Sequence, residues 1–278
     1  MFRRLLIANR GEVAARILRT CDRLGVETVA IASDADIDAQ WLRGATEVIR
    51  IGAPKAAESY LNQDVILEVA RHTRCSAVHP GWGFLSENAT FARRCRGLGL
   101  AFVGPSATHL STMGDKATAR RTMQQLGMPI IPGTVGSLQD VNEARTQAER
   151  MGYPVMLKAV SGGGGRGMHI VRDPEALEDA FNAASAEALS CFGDGDLYME
   201  KCIENGRHVE VQVLADALGN CIHIGERECS IQRRHQKVIE EAPSPGLSDS
   251  ERSKILPLVA DVVARAGYIN AGTVEMLL

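Results

Sequence analysis

Residues 1–105 alternate short apolar runs with stretches of helical periodicity, and that alternation leaves few folds open. Residues 5–9 (LLIAN) read as a buried strand. Val13, Ala14, Ile17, Leu18, Cys21 and Leu24 then recur at helical spacing up to Gly25, and residues 28–32 (TVAIA) form a second strand. Two strands joined through a helix of this length pair parallel, because the helix carries the chain back across the sheet. The pattern continues with a strand near 47–51, a helix with Val65, Ile66, Val69 and Ala70 on one face, a strand at 76–79, a helix over 87–97 and a strand at 100–104 (LAFVG). An open parallel α/β domain is expected over residues 1–105.

The remainder changes character. Residues 106–130 read as a helical connector punctuated by Gly114 and Gly127. From there the chain runs helix (138–150), strand (154–160), glycine loop (162–167), strand (168–172), helix (174–191) and strand (196–203). Residues 207–214 and 221–228 alternate polar and apolar about a Gly219-Asn220 turn, as an antiparallel hairpin does. A helix over 249–265 and a strand over 273–278 follow. Domain boundaries are therefore expected at 1–105, 106–130, 131–203 and 204–278.

Composition excludes several function classes. A net charge of −3 and 4% aromatic residues offer neither the basic surplus nor the stacking platforms of a nucleic-acid binder. No apolar run approaches the ~18 residues of a membrane span, and the four apolar residues 5–8 are too few for a signal-peptide core. The seven cysteines are widely spaced with no C-x-x-C pair, which argues against a disulfide framework or a thiolate zinc site. A cytoplasmic protein with neither nucleic-acid nor membrane partners is expected.

Two glycine-bearing turns invite ligand readings. The first, A-N-R-G-E after the opening strand, has a single glycine where a dinucleotide fold needs G-x-G-x-x-G, so a plain structural turn is expected. The second, KAVSGGGGRGM at 158–168, leads into a strand and lacks the G-K-[ST] ending of a P-loop. Four consecutive glycines are costly to order. They make sense as a loop laying bare N–H groups over phosphate oxygens, or else as a flexible surface loop. Lys158 supplies a fixed cation beside it, inside the apolar strand PVMLKAV.

Long motifs carry a resemblance. KAVSGGGGRGM, YMEKCIENGRHVEVQVLAD (198–216) and GERECSIQRRHQKVIEEAPSPG (225–246) closely resemble the biotin carboxylases, a family of ATP-grasp enzymes. IANRGEVAARILR (7–19), HPGWGFLSEN (79–88) and MGDKATAR (113–120) resemble the same family, so the likeness runs through the whole chain in order. It implies an α/β fold: an N-terminal open parallel domain, then an ATP-grasp fold with a small glycine-loop lid and an incomplete antiparallel C-terminal sheet. It also implies an ATP-dependent ligase that uses MgATP and bicarbonate to form carboxyphosphate and carboxylate biotin on a carrier protein, with Mn²⁺ able to replace Mg²⁺.

The resemblance assigns roles residue by residue. Lys116 and Lys158 match phosphate-binding lysines, and Gly164 and Gly165 match the loop over the phosphates. Glu200, Lys201, Cys202 and Ile203 match the hinge that reads adenine through its backbone. Cys202 stands where the family often has an aromatic residue. His208, Glu210 and Gln212 share one face of their strand, opposite Val209, Val211 and Val213, and the match assigns His208 to the nucleotide; without it the face reads equally as solvated. Gln232 and His235 in QRRHQK fall near the nucleotide, and Lys237 falls at bicarbonate as the catalytic positioning residue. Glu275 matches one of two magnesium-holding carboxylates. No chemistry is assigned to Cys229.

The family's second metal carboxylate, its bicarbonate-binding arginine and its base match nothing in these 278 residues. The chain is thus expected to be the ATP-binding portion of such an enzyme, truncated before that motif and inactive alone. A nucleotide-binding or regulatory remnant, or another ATP-grasp ligase of the carbamoyl-phosphate or carboxylate-amine type, stands as the alternative. Implied partners are a biotin carboxyl carrier protein and a carboxyltransferase, as in the acyl-CoA carboxylases of fatty acid biosynthesis. A homodimer contact through Arg16 and Arg19 is also implied, against a merely solvated helix face.

Overall fold

The computed structural model describes residues 2–134, 136–161, 167–233 and 236–278, with the backbone alone at 116 and 117. The chain divides into two compact units, one of residues 1–115 with 215–219 and 267–271, the other of 116–214, 220–266 and 272–278.

Unit 1 carries β1 (Arg4–Ile7), α1 (Gly11–Arg23), β2 (Glu27–Ser33), β3 (Glu47–Gly52), α2 (Gln63–His72), β4 (Ala77–His79), α3 (Ala89–Gly97), β5 (Ala101–Phe102) and α4 (Ala107–Gly114). Its sheet has the order β3-β2-β1-β4-β5 with every pair parallel. Leu6 sits opposite Val29 on one side and Val78 on the other. Helices cover both faces, which is why these strands read as unbroken apolar runs. Leu6, Val29, Ile31 and Val78 pack with Tyr60, Ile66 and Phe91 on one face, while Leu5, Ile7 and Ala77 pack with Ala14 and Leu18 of α1 on the other. The helices α2 and α3 are capped by Asn62 and Asn88, whose side chains accept the amides of Val65 and Phe91.

Unit 2 holds α5 (Lys116–Gln125), α6 (Val141–Met151), β6 (Val155–Ala159), β7 (Met168–Val171), α7 (Leu177–Phe192), β8 (Leu197–Lys201), β9 (His208–Ala215), β10 (Cys221–Arg233), β11 (Gln236–Glu241), α8 (Asp249–Arg265) and most of β12 (Asn270–Leu277). A three-stranded antiparallel sheet, β7-β6-β8, packs on α6 and α7 through Val155, Leu157, Leu197, Met199, Leu177 and Ala184. A four-stranded antiparallel sheet runs β11-β10-β9-β12.

The expected elements all form, with shifted ends. The helix expected at 138–150 starts at Val141, because Asp140 caps it by accepting the amides of Asn142 and Glu143, and Leu138 instead bridges to Leu197. The hairpin's second strand extends to Arg233 rather than ending at 228, since it pairs with β11 on its far side. The strand expected at 100–104 shortens to two residues. Among the described residues no helix is long and apolar enough to cross a membrane.

Phe91 is fully buried and meets Phe102 edge-on, ring centroids 6.1 Å apart. Replacing it with alanine leaves a ring-sized void, and Phe91→Ala is expected to cost about 3–5 kcal/mol in equilibrium urea unfolding. A loss under ~1 kcal/mol would show that unit 1 repacks around the gap.

Candidate nucleotide and anion site

Lys158 and Glu200 come together because β6 and β8 are antiparallel neighbours, with Met156 opposite Glu200 and Lys158 opposite Tyr198. Alternation buries Val155, Leu157 and Ala159 in the core and turns Met156 and Lys158 to the other face. There the Glu200 carboxylate, in a residue only 6% exposed, accepts Lys158 Nζ on one oxygen and the Arg120 guanidinium of α5 on the other. Arg120 also donates to the carbonyl of Ile131. The segment 131–134 lies against β8, with the Thr134 amide donating to Met199 (2.8 Å). The approach is close enough that a Cβ on Gly133 would fall 2.8 Å from the Met199 carbonyl oxygen.

The neighbouring residues 201–203 behave differently from one another. The Lys201 ammonium donates to the carbonyls of Gly152 and Tyr153, each at 2.9 Å, and so secures the turn after α6. The amide of Lys201 donates to Pro132 (2.8 Å) and that of Cys202 to Pro154 (3.1 Å). Cys202 is buried, and Ile203 stands partly in solvent.

The second cluster crosses the four-stranded sheet. Glu210 of β9 is buried and accepts Lys237 of β11 on one oxygen and Arg227 of β10 on the other (Nε at 2.8 Å). Lys237 Nζ also donates to Glu275 of β12 at 2.7 Å. Arg227 reaches Gln212 (3.2 Å) and Glu240 (3.4 Å) as well. Burial works against the charge on Lys237, but its bonds to Glu210 and Glu275 outweigh that and raise its pKa above the ordinary lysine value. Glu210 mirrors it: burial would raise its pKa, while Lys237 and Arg227 together hold it down.

The opposite face of β10 is a support. Glu226 accepts Arg252 of α8 (2.8 Å) and the Ser244 amide (3.2 Å). Glu228 accepts the Ser244 hydroxyl (2.8 Å) and Arg207 (3.0 Å). Two buried carboxylates thus tie β10 to the 242–248 segment and to α8, whose own start is closed by a Ser248–Glu251 capping box.

Of the sequence-predicted residues, the fold joins Lys158 with Glu200 and Lys237 with Glu275. His208 is half-buried on β9, its amide donating to Ser230 Oγ (3.1 Å), and Gln232 Nε2 turns back to the Cys229 carbonyl (2.9 Å). Gly164, Gly165 and His235 lie outside the described residues, and Lys116 opens α5 with its side chain outside them. Sequence reasoning gave no role to Arg120, Glu210 or Arg227. Glu210 was legible through its parity with His208 and Gln212, and Arg120 through its spacing of one helical turn after Lys116. Nothing local marks Arg227.

Glu275 suits a magnesium ion: it is a hard oxygen donor, its carboxylate is 63% exposed, and it stands on the same face as Lys237. Glu210, Cys229 and Glu240 also place ligand atoms within 4.8 Å of one another. That group is already served by the cations of Arg227 and Lys237, so a metal there would have to displace them.

Residues 1–110 match the family described as biotin carboxylase, N-terminal domain, and residues 115–278 the family described as carbamoyl-phosphate synthase L chain, ATP binding domain. A biotin carboxylase of Halalkalibacterium halodurans is 51% identical over all 278 residues. This chain belongs to the biotin carboxylase family. It spans 62% of the length of the Halalkalibacterium protein. A biotin carboxylase–beta-gamma-ATP complex from Campylobacter jejuni superposes on the whole chain with a TM-score of 0.92 at 45% identity, the match covering 62% of that chain. The biotin carboxylase domain dimer of Hydrogenobacter thermophilus 2-oxoglutarate carboxylase, solved with MgADP, ADP and bicarbonate, gives 0.89 at 46% identity over the whole chain and 61% of its own.

Glu210, Glu226 and Glu228 all have pKa values below the ordinary carboxylate range. For Glu210 and Glu226 burial pulls the other way and is outweighed by the cations; for Glu228 the Ser244 hydroxyl leads. Groups depressed in the folded chain bind fewer protons there than in the unfolded chain. Their stabilisation is therefore full above an unfolded pKa of ~4.3 and is lost as pH falls through the lower folded values. The urea midpoint is expected to hold from about pH 7 to 5 and to drop below about pH 4.5. Glu226→Gln should start lower and lose less on acidification. An acid slope equal to that of the parent would overturn the assignment.

Proposed function

We propose that this chain is the ATP-binding portion of a biotin carboxylase, an ATP-dependent ligase acting with MgATP and bicarbonate to carboxylate biotin on a carrier protein through carboxyphosphate. The observation that carries the reading is the meeting of Lys237 and Glu275 on one sheet face, ammonium and carboxylate 2.7 Å apart. A reaction that joins bicarbonate to a phosphoryl group must hold two anions side by side, with a cation against each and a metal on the phosphates. An ammonium has three donors, and among the described residues Glu210 and Glu275 take two of those on Lys237, so bicarbonate would take the third.

In this reading Lys116 and Lys158 hold the nucleotide's phosphates, with Gly164 and Gly165 over them. His208, Gln232 and His235 border the nucleotide. At the hinge of Glu200, Lys201, Cys202 and Ile203 the amides of Lys201 and Cys202 already serve Pro132 and Pro154, so donation to adenine falls to Ile203. Glu275 would hold Mg²⁺, or Mn²⁺ with the same oxygen preference, and the ion would neutralise charge on the phosphates. Residues 131–203 act as lid and 204–278 as base, following the N-terminal domain (1–105) and connector (106–130) along the chain.

The partners follow the same reading: a biotin carboxyl carrier protein, a carboxyltransferase subunit or domain, and a second copy of this chain through Arg16 and Arg19. Both arginines are exposed on α1, where they line a shallow groove with Asp22 and Arg23. The proposed setting is the cytoplasm and the supply of carboxylated acyl-CoA for fatty acid biosynthesis.

Calorimetry with MgATP tests the reading. The parent is expected to bind. Lys158→Met should weaken binding about 10–100-fold, the size of one contact to a charged group. Lys237→Gln should leave MgATP affinity within about twofold while removing any effect of added bicarbonate on it. A parent chain that binds no MgATP would overturn the proposal.

A further inference from the structure

We infer that Arg120 is a positioning residue for the nucleotide's phosphates, acting through Glu200 to leave Lys158 available to them. The inference rests on the nucleotide reading above. Glu200 is a buried anion with two cations, one per oxygen. A buried carboxylate cannot stand uncompensated: removing one partner of a buried pair is strongly unfavourable. Were Lys158 its sole cation, a phosphate drawing the ammonium away would leave that charge bare, and the cost would come off the binding energy. Arg120 removes the conflict.

The geometry distinguishes the two cations. Arg120 is tied twice, to Glu200 and to the Ile131 carbonyl, so it stays with the carboxylate when Lys158 turns. Lys158 hangs from β6 on a flexible stem and is about a quarter exposed. Space for the guanidinium exists because residue 133 has no side chain: a Cβ there would lie 3.0 Å from Arg120 Nη2 and 3.2 Å from Glu200 Cγ. With both cations present the cluster carries one net positive charge; without Arg120 it is neutral. Tyr198, opposite Lys158 across the sheet, feels both sides of this balance. Its phenol is pushed up to about 12 by burial and by Glu200, with Arg120 opposing.

The test compares ligands of different charge. ATP, ADP and adenosine are titrated by calorimetry into the parent, Arg120→Met and Arg120→Lys, with thermal melting as the check on folding. For Arg120→Met the loss should be about tenfold for ATP, smaller for ADP, and under about twofold for adenosine, and it should shrink as salt is raised. Arg120→Lys should recover part of it. The double variant Arg120→Met/Glu200→Gln, which removes the buried charge that needs compensating, should bind ATP better than Arg120→Met; it also serves if the single variant folds poorly. Equal losses for all three ligands, or no loss for ATP, would overturn the inference while leaving the nucleotide reading intact. A parent that binds none of the three overturns both.

Discussion

The compensation of buried carboxylates by cations from elsewhere in the chain is the constraint on which unit 2 depends. Glu200, Glu210, Glu226 and Glu228 are all buried on β8, β9 and β10, and each has at least one arginine or lysine from another element. Replacing such pairs with apolar residues often costs nothing in stability, so stability alone is a poor reason for keeping four. What they do is specify register. Arg227 meets Glu210, and Lys237 meets Glu210 and Glu275, only when β11, β10, β9 and β12 lie in one order with one alignment.

The pleat then divides labour. On β10, Glu226 and Glu228 point to the side of α8 and Ser244, while Arg227 between them points to Glu210 on the other. Support and site are thus separated by a single residue of phase, and a one-residue slip would exchange them. The β-bulge between Glu228 and Ile231 breaks the regular pairing with β11 just before the QRRHQK stretch. A second shift between Ile231 and Gln232 restores the register, so Lys237 stands opposite Gln232 just as Glu241 stands opposite Glu228.

Most of the fold was legible because it rests on periodicity. Parallel strands buried on both faces leave apolar runs, and amphipathic helices leave spaced ones, so unit 1 could be read from β1 to β5. The element ends were less legible: a cap such as Asp140 decides a boundary by one hydrogen-bonding side chain rather than by a pattern. Lys158 was legible as a cation within an apolar strand, and Lys237, in a basic run, only through the family resemblance. Their partners were not. Arg120 is 80 residues from Glu200 along the chain, and Lys237 is 38 from Glu275. A pairing over such distances leaves no local trace, and only the tertiary fold assigns it.

The opening turn of unit 1 shows the same logic with the opposite result. In the order β3-β2-β1-β4-β5, the chain reverses its direction of travel between β1 and β4, and in open α/β sheets the crevice at that point is where ligands bind. Here side chains of the chain itself meet. Asn9, at the end of β1, donates across to the carbonyls of Pro80 (2.7 Å) and Trp82 (2.8 Å) after β4. Gly81 has a left-handed φ of +65°, and a Cβ there would fall 2.4 Å from Val13 Cγ1, so the two turns interlock too closely for a side chain. Arg10 lies 5.3 Å from the Tyr60 ring centroid and 5.4 Å from that of Phe84, and Asp36 takes the Tyr60 hydroxyl at 2.7 Å. Arg10 also lies 3.5 Å from the Asp36 carboxylate, so this cation has two rings and an anion as neighbours. The turn that carries the single glycine of A-N-R-G-E is thus tied to the chain after β4 through Asn9, and to Tyr60, Phe84 and Asp36 through Arg10.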